Sequence, residues 1–415
     1  MSQFDRQYEC VVFGATGYTG KYTAEHIASS LPTDFKWAVA GRSEQKLKGL
    51  AEELKAINPD RTQPAIEIAQ VNKADLIQLA KKTKVLISTV GPYHKYGTAA
   101  VAACAETGTH YVDCTGEVPW VYDMVNKYGD LAKKTGAIII PQSGIESAPP
   151  DLISWMLAAY LRETLQVGTK ELVVSLHDLK ASASGGTLST VLTLFDTYSL
   201  FQVLRALRPH SLTPIPAPKK TVSPSLWETL TGLRTEPDLG LLTDSISAAT
   251  DAPIVNRSWA LYNNGEYYGP KFHFSAYMRA TDQLRGFAMH LALAIGAAIL
   301  ILSPVRWLLK KLVYQPGDGP TKAQASRDRC EWRAIAHADV SDPNDPKRAY
   351  GRIRWEGSMY YLTGVLLAEA AFVIAREKTK AHELGGGILT PATLGAPFLE
   401  RLNKVGFKSE VKMLP

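Results

Sequence analysis

The chain has 415 residues, 46% hydrophobic and 21% charged, with a net charge of +6. This is a globular composition with core enough for two domains, and it excludes a disordered or fibrous chain. The basic residues are scattered, which argues against a nucleic-acid partner; four cysteines with no C-x-x-C pair exclude a disulfide scaffold and point to a reduced, cytoplasmic compartment. The N-terminal MSQFDRQYEC has no apolar run and is not expected to be a secretory signal.

Tyr8–Phe13 (YECVVF) reads as a buried parallel strand. It runs into Gly14, Ala15, Thr16, Gly17, Tyr18, Thr19 and Gly20, and then into a helical stretch over Lys21–Ser29. Strand, glycine turn and helix are what a dinucleotide pyrophosphate needs. The first glycine permits the tight turn, the second lets backbone approach the phosphates, and the third lets helix pack on sheet. The G-x-x-G-x-x-G spacing alone also suits an ordinary glycine turn. A second strand, Lys36–Ala40, ends at Gly41-Arg42-Ser43, without the acidic residue that holds the ribose hydroxyl of NAD. Arg42 instead offers a planar fork of donors for a 2′-phosphate, so the expected cofactor is NADP(H).

Further strands are expected at Ala65–Ala69, Val85–Thr89, His110–Val112 and Ala137–Pro141. Helices are expected at Glu44–Ala56, Lys73–Lys82, Thr98–Glu106 and Trp120–Lys134. This alternation predicts an α/β fold, a Rossmann-type doubly wound parallel sheet, with ligand at the carboxyl ends of the strands. The loops there are Val90-Gly91-Pro92-Tyr93-His94-Lys95-Tyr96-Gly97, Asp113 to Glu117, and Gln142 to Asp151 with Ser143 and Gly144. Val90, Gly91, Pro92, Tyr93, Ser143 and Gly144 join the glycine loop, Gly41, Arg42 and Ser43 as expected cofactor contacts.

VVFGATGYTG, AGRSEQKL, STVGPYHKYG, HYVDCTGE and PQSGIESAPPDL, with PGDGP and GGGILTPATLGAPFLERL near the end, resemble the saccharopine dehydrogenase-like oxidoreductase family, including its trans-acting enoyl reductase branch. The resemblance implies a Rossmann domain over 1–152 and a second α+β domain over 153–345. It also implies a C-terminal segment, 346–415, whose helix 358–376 returns to the first domain, and a nicotinamide cofactor. In such proteins a glycine- and hydroxyl-rich segment, here Ala181–Thr190, opens a helix facing the cofactor; an ordinary loop is the equal alternative.

In the second half, strands are expected at Glu171–Leu179, Asp251–Arg257, Tyr267–Tyr277, Tyr350–Arg354 and Phe407–Met413. Helices are expected at Leu152–Leu161, Leu226–Thr235, Ser358–Arg376 and Pro391–Leu402. Gly286–Ser303 is almost uninterruptedly apolar and is followed by Arg306, Trp307, Lys310 and Lys311. It suits a core helix, a tunnel for an apolar substrate, or a membrane contact over 286–311; the basic and aromatic flank favours contact. The expected location is cytoplasmic, with peripheral membrane or lipid-droplet association as its extension.

No metal-ligand spacing or G-x-S-x-G stands out, and no Tyr-x-x-x-Lys pair lies at the expected place, so no metal is expected. A nicotinamide enzyme needs a positioned acceptor and a proton donor. Tyr93 and Tyr96 are the donor candidates, with loop packing as the alternative for Tyr96. His94 and Lys95 are expected to face solvent or phosphate, and Asp113 and Glu117 to hold loops by accepting backbone N–H bonds. The expected activity is NADPH-dependent reduction of an activated C=C or C=N bond on a hydrophobic or carrier-bound small molecule, with a homodimer allowed. The alternatives are an amino-acid imine reductase, which would need arginines to clamp carboxylates (Arg205, Arg208, Arg257 and Arg279 are present, but nothing in the sequence groups them), and a non-catalytic NADP-binding scaffold or redox sensor at a lipid surface.

Overall fold

The computed structural model describes residues 6–181, 192–218, 222–301, 304–306, 309, 320–340, 342 and 345–415. Most of the 181–190 segment, the PGDG stretch at 316–319, Trp307, Lys310 and Lys311 lie outside these residues. The chain divides into two units. One holds the described residues up to Ala148 with Gly357–Val405; the other holds those from Pro149 to Arg306 and Leu309, Pro320–Glu356 and Gly406–Pro415.

The first unit is built on seven parallel strands: β1 (Tyr8–Phe13), β2 (Trp37–Gly41), β3 (Ala65–Ile68), β4 (Thr83–Ser88), β5 (His110–Asp113), β6 (Ile138–Ile140) and β13 (Gly387–Ile388). Their order is β13-β6-β5-β4-β1-β2-β3. The chain winds outward from β1 to β3, then restarts at β4 on the other side of β1, so the strand order reverses between β1 and β4. Burial on both faces explains the near-continuous apolar runs of β1, β2 and β4. The crossovers are α1 (Tyr18–Ser30), α2 (Glu44–Ile57), α3 (Lys73–Lys82), α4 (Tyr93–Tyr96), α5 (Thr98–Thr107) and α6 (Val118–Thr135). In α2, Leu47, Leu50 and Leu54 recur at helical spacing and are buried, and Ser43 caps its start.

The second unit is a mixed sheet ordered β14-β12-β11-β7-β10-β9-β8. Its strands are β7 (Thr169–Lys180), β8 (Arg234–Glu236), β9 (Gly240–Asp244), β10 (His273–Arg279), β11 (Arg329–Ala338), β12 (Arg348–Glu356) and β14 (Lys408–Met413). Only β10 and β7 pair in parallel. α7 (Ala148–Leu165) packs on this sheet, with Ile153 and Leu157 against Gly351. Shorter helices follow: α8 (Leu200–Ala206), α9 (Leu226–Thr231), α10 (Ala248–Leu261), α11 (Gln283–Ile301) and α12 (Lys322–Ala325).

The expected strand at Asp251–Arg257 is instead the centre of α10. A short apolar run does not distinguish strand from helix by periodicity, and this one continues to Leu261, long enough to satisfy its own backbone. The central strand β11 was not anticipated. β12 and β14, both from the C-terminal segment, complete the second sheet, whereas α13 (Met359–Arg376), α14 (Lys380–Glu383) and α15 (Gly395–Lys404) belong to the first unit.

α11 and α13 are both long and apolar enough to cross a membrane, but they differ in burial: 6% of the apolar window of α11 is buried against 78% for α13. α13 is a core helix. Gly364 lets it cross α1 in contact with the backbone of Tyr22 and Thr23, where a Cβ would sit 2.8 Å from the Thr23 nitrogen.

Candidate functional site

The turn after β1 lies at the strand-order reversal, where open α/β sheets bind ligands. Gly14 has φ +88, a conformation that L side chains rarely adopt. Its N–H donates to the Ala40 carbonyl at 2.9 Å, and Gly17 N–H donates to the Gly14 carbonyl at 2.9 Å. Just past the end of β4, the Thr89 hydroxyl donates to the Phe13 and Gly14 carbonyls at 3.1 and 3.2 Å. A Cβ on Gly20 would collide with the Gly14 carbonyl oxygen and lie 2.7 Å from Thr89 Oγ1. Gly20 therefore lets α1 start hard against the turn.

Thr16 and Gly17 are exposed and Tyr18 and Thr19 half-buried, and the start of α1 carries no side-chain cap. Its first N–H groups and the positive end of its dipole are thus left for an anion. Gly41 is buried at the end of β2 and Arg42 beyond it is exposed, with no ion-pair partner among the described residues. Ser43 is used locally: its hydroxyl accepts the Lys46 N–H at 3.4 Å. These residues fit a dinucleotide phosphate, with a cradle that any side chain would fill, an uncapped helix start, and a free guanidinium one strand away.

The loop after β4 rests on Glu117, from the loop after β5. Glu117 accepts the Tyr93 and His94 backbone N–H groups, both at 2.7 Å, and pairs with His94 Nδ1 at 2.5 Å. The carboxylate caps α4 and fixes how Val90, Gly91 and Pro92 leave β4. The expectation that His94 faces solvent or phosphate is corrected: its side chain is buried and turned to Glu117, and its Nε2 has no hydrogen-bond partner. Lys95 is exposed.

Tyr93, a donor candidate, is buried against Trp120, and its hydroxyl donates to the Ser88 carbonyl at 2.9 Å, 3.2 Å from Cys114 Sγ. Burial, foremost, holds both the phenol and the Cys114 thiol above their ordinary ranges, the thiol at about 12. Tyr93 thus pins the loop with a proton already engaged. Tyr96 is 46% exposed.

Asp113, fully buried, accepts Thr115 and Gln142 N–H groups at 2.9 and 3.0 Å and the Tyr111 hydroxyl at 2.8 Å. Through these bonds it ties the loops after β5 and β6. Ser143 N–H donates to the Asp113 carbonyl at 2.8 Å, and the Ser143 hydroxyl donates inward to Ile140. Gly144 abuts Cys114 and Thr363. Burial pushes the Asp113 carboxyl from its ordinary 3.8 up to about 7, against the donors that pull it down. The folded chain therefore holds this proton more tightly than the unfolded chain. The group's stabilising contribution is full below about pH 4 and is lost as pH rises toward about 7, at up to about 1.4 kcal/mol per pH unit. Asp113→Asn should flatten that slope in urea unfolding compared between about pH 5 and about pH 8. An unchanged slope would refute the assignment.

Of the four arginines considered for a carboxylate clamp, Arg257 is buried and donates to the Leu212 carbonyl, while Arg205, Arg208 and Arg279 are exposed. Among the described residues no group of three or more His, Cys, Asp or Glu side chains could hold a metal ion. Thr89, and the pairing of His94 with Glu117, were missed from sequence.

Residues 10–140 match the family described as the saccharopine dehydrogenase NADP binding domain. A trans-acting enoyl reductase from Mycobacterium ulcerans is 30% identical over 426 residues, covering 98% of each chain. One from Mycobacterium tuberculosis is 29% identical over 428 residues, again 98% of each. In fold, the chain resembles apo saccharopine dehydrogenase (L-Glu forming) from Saccharomyces cerevisiae, with a TM-score of 0.59 at 12% identity, covering 98% of this chain and 99% of that one.

Proposed function

This chain belongs to the saccharopine dehydrogenase-like family of NADP(H)-binding oxidoreductases, and from that premise we propose that it reduces an activated C=C bond of a carrier-bound acyl chain. The observation that carries the reading is the end-to-end likeness to relatives named trans-acting enoyl reductases. The likeness to saccharopine dehydrogenase is one of fold.

Bound NADPH would supply the hydride to one carbon of the double bond and water the proton to the other, leaving NADP+. The protein's share is binding and orientation. The turn from Gly14 to Gly20 and the start of α1 hold the pyrophosphate, with Arg42 on the 2′-phosphate. Glu117, through the Tyr93 and His94 N–H groups, fixes the loop of Val90, Gly91 and Pro92 at the next strand end. Asp113 holds Ser143 and Gly144 beside it.

The test is NADPH consumption on an α,β-unsaturated acyl-pantetheine thioester, set against the imine formed from an amino acid and an aldehyde. The expected result is turnover of the enoyl thioester at least about tenfold faster in kcat/KM, about 1.4 kcal/mol of transition-state preference. Preference for the imine would replace the reading with amino-acid reduction, and turnover of neither would favour a binding protein. The cofactor assignment has its own check. Arg42→Ala should weaken NADPH binding by about 1.5–3 kcal/mol and leave NADH binding nearly unchanged. Equal losses in calorimetric titrations would refute the 2′-phosphate role.

A further inference from the structure

We propose that α11 lies in the surface of an anionic membrane, parallel to it, and holds the second unit there. This does not rest on the reductase reading, and its test uses no turnover. From Gly286 to Ile301 the helix carries no charged side chain except His290, if protonated, and its mean hydropathy is 1.9. Gly286 is buried, and His290, Leu293, Gly296 and Leu300 recur at helical spacing as the less exposed stripe. The residues between them are exposed, Ile295 at 56%, as is Leu284 before them at 78%. The apolar arc therefore covers far more of the helix than one flat protein partner would, and the part of it that does not face the second unit is free to enter hydrocarbon.

Both ends are tied to the second unit, so the helix lies along it. Near the start, the Thr243 hydroxyl donates to the Gly286 carbonyl at 2.8 Å, and His290 Nδ1 pairs with Asp244 at 2.6 Å. At the far end, the Arg306 guanidinium donates to the Leu300 and Ile301 carbonyls at 2.9 and 2.6 Å and stacks over Phe195 at 4.9 Å. Those bonds occupy carbonyls at the helix end, which apolar surroundings would otherwise leave without water. The strands before and after, β10 and β11, both pair with β7, so the chain returns to the side it left and a single crossing is excluded.

Charge selects lipid as the occupant. Between Gln283 and Gly317 there is no acidic residue, while Arg285, Arg306, Lys310 and Lys311 are basic. Arg285, in the first turn of α11 and 3.4 Å from Asp282, and Arg306, past its last turn, put cations near both ends of an in-plane helix, at headgroup level. The neighbouring α9 adds Leu226, Trp227 and Leu230, exposed at 80%, 62% and 65%; Gly232, which ends α9, sits against His290. Tryptophan and leucine beside such a helix extend an interfacial surface.

The test is flotation of the full chain with phosphatidylcholine vesicles, with and without one part in about three of phosphatidylserine. The wild type should float with the anionic vesicles and bind neutral ones at least about tenfold less. The double variant Ile295→Glu, Ile299→Glu should lose at least about tenfold of the anionic binding while its NADPH titration is unchanged. Hydrogen exchange of the wild type should show residues 284–301 protected by anionic vesicles. Wild type that stays unbound, a variant that floats as well as wild type, or no added protection would each overturn the proposal. So would a wild-type dimer that the variant loses with no lipid bound by either, because a second copy would then cover α11.

Discussion

Glu369→Ala should cost the first unit about 3–5 kcal/mol, since it leaves a buried ionic group without its partner. Glu369 is on α13 and fully buried. Its Oε1 is 2.8 Å from His26 Nε2 on α1, and its Oε2 accepts from Arg401 Nε on α15 at 2.5 Å. The Tyr361 hydroxyl is 3.3 Å from the other His26 nitrogen, and the Arg401 guanidinium lies over Phe372 at 3.7 Å. One carboxylate thus joins three helices from opposite ends of the chain. Removing it leaves His26, whose side chain is buried, without the partner of its Nε2, and takes from the partly buried Arg401 its carboxylate. Glu369→Gln keeps the shape and one acceptor, so it should cost less than half as much. Urea unfolding followed by loss of NADPH binding reads the first unit alone, which matters because two units need not unfold together. Both variants falling within about 1 kcal/mol of wild type would show that the triad is idle.

What could be read from sequence depended on how local the signal was. Gly14, Gly17 and Gly20 fall within one turn, and Arg42 follows the next strand directly, so strand–turn–helix patterning reached them. The alternation of strand and helix through Ile140 was legible for the same reason. The support for the site was not. His94 and Glu117 are 23 residues apart, on loops after different strands, and only the sheet order brings them together. Asp113 and Glu117 were rightly expected to accept backbone N–H bonds, because loop carboxylates after strand ends commonly do. Tyr93 looked like a donor because burial leaves no local mark on a loop tyrosine. α11 and α13 show the same limit at larger scale: both are apolar throughout, yet one packs on α1 and the sheet while the other is exposed. β11 went unread although β12 follows it closely: its pairing with β7, from far back in the chain, is irregular at Glu331/Trp332 and His337/Ala338, and no clean alternation marks it.

Gly20→Ala should lower NADPH affinity by at least about 100-fold, about 2.7 kcal/mol, and destabilise the first unit as well. The added methyl would run into the Gly14 carbonyl oxygen, which is backbone and cannot rotate away. Nor can the turn retreat. Gly14 N–H is bonded to Ala40 on β2, and Thr89, just past β4, donates to the Phe13 and Gly14 carbonyls. α1 must therefore shift, taking with it the N–H groups proposed to hold the pyrophosphate. Gly17→Ala separates the two effects. Gly17 is exposed, has φ −77, and its Cβ would lie 3.2 Å from the Gly14 carbonyl oxygen. Its methyl should intrude on the phosphate approach and weaken NADPH binding with little change in stability. Gly49→Ala, in α2 with nothing within 4 Å of the new Cβ, should leave binding alone and raise stability by about 0.5–1 kcal/mol. Calorimetric titration and urea unfolding of the three variants give six numbers with a fixed pattern: Gly20 loses both, Gly17 loses binding, and Gly49 loses neither. If Gly20→Ala binds NADPH within about threefold of wild type, α1 does not begin where the cofactor's phosphates sit, and the site must be sought elsewhere on the sheet.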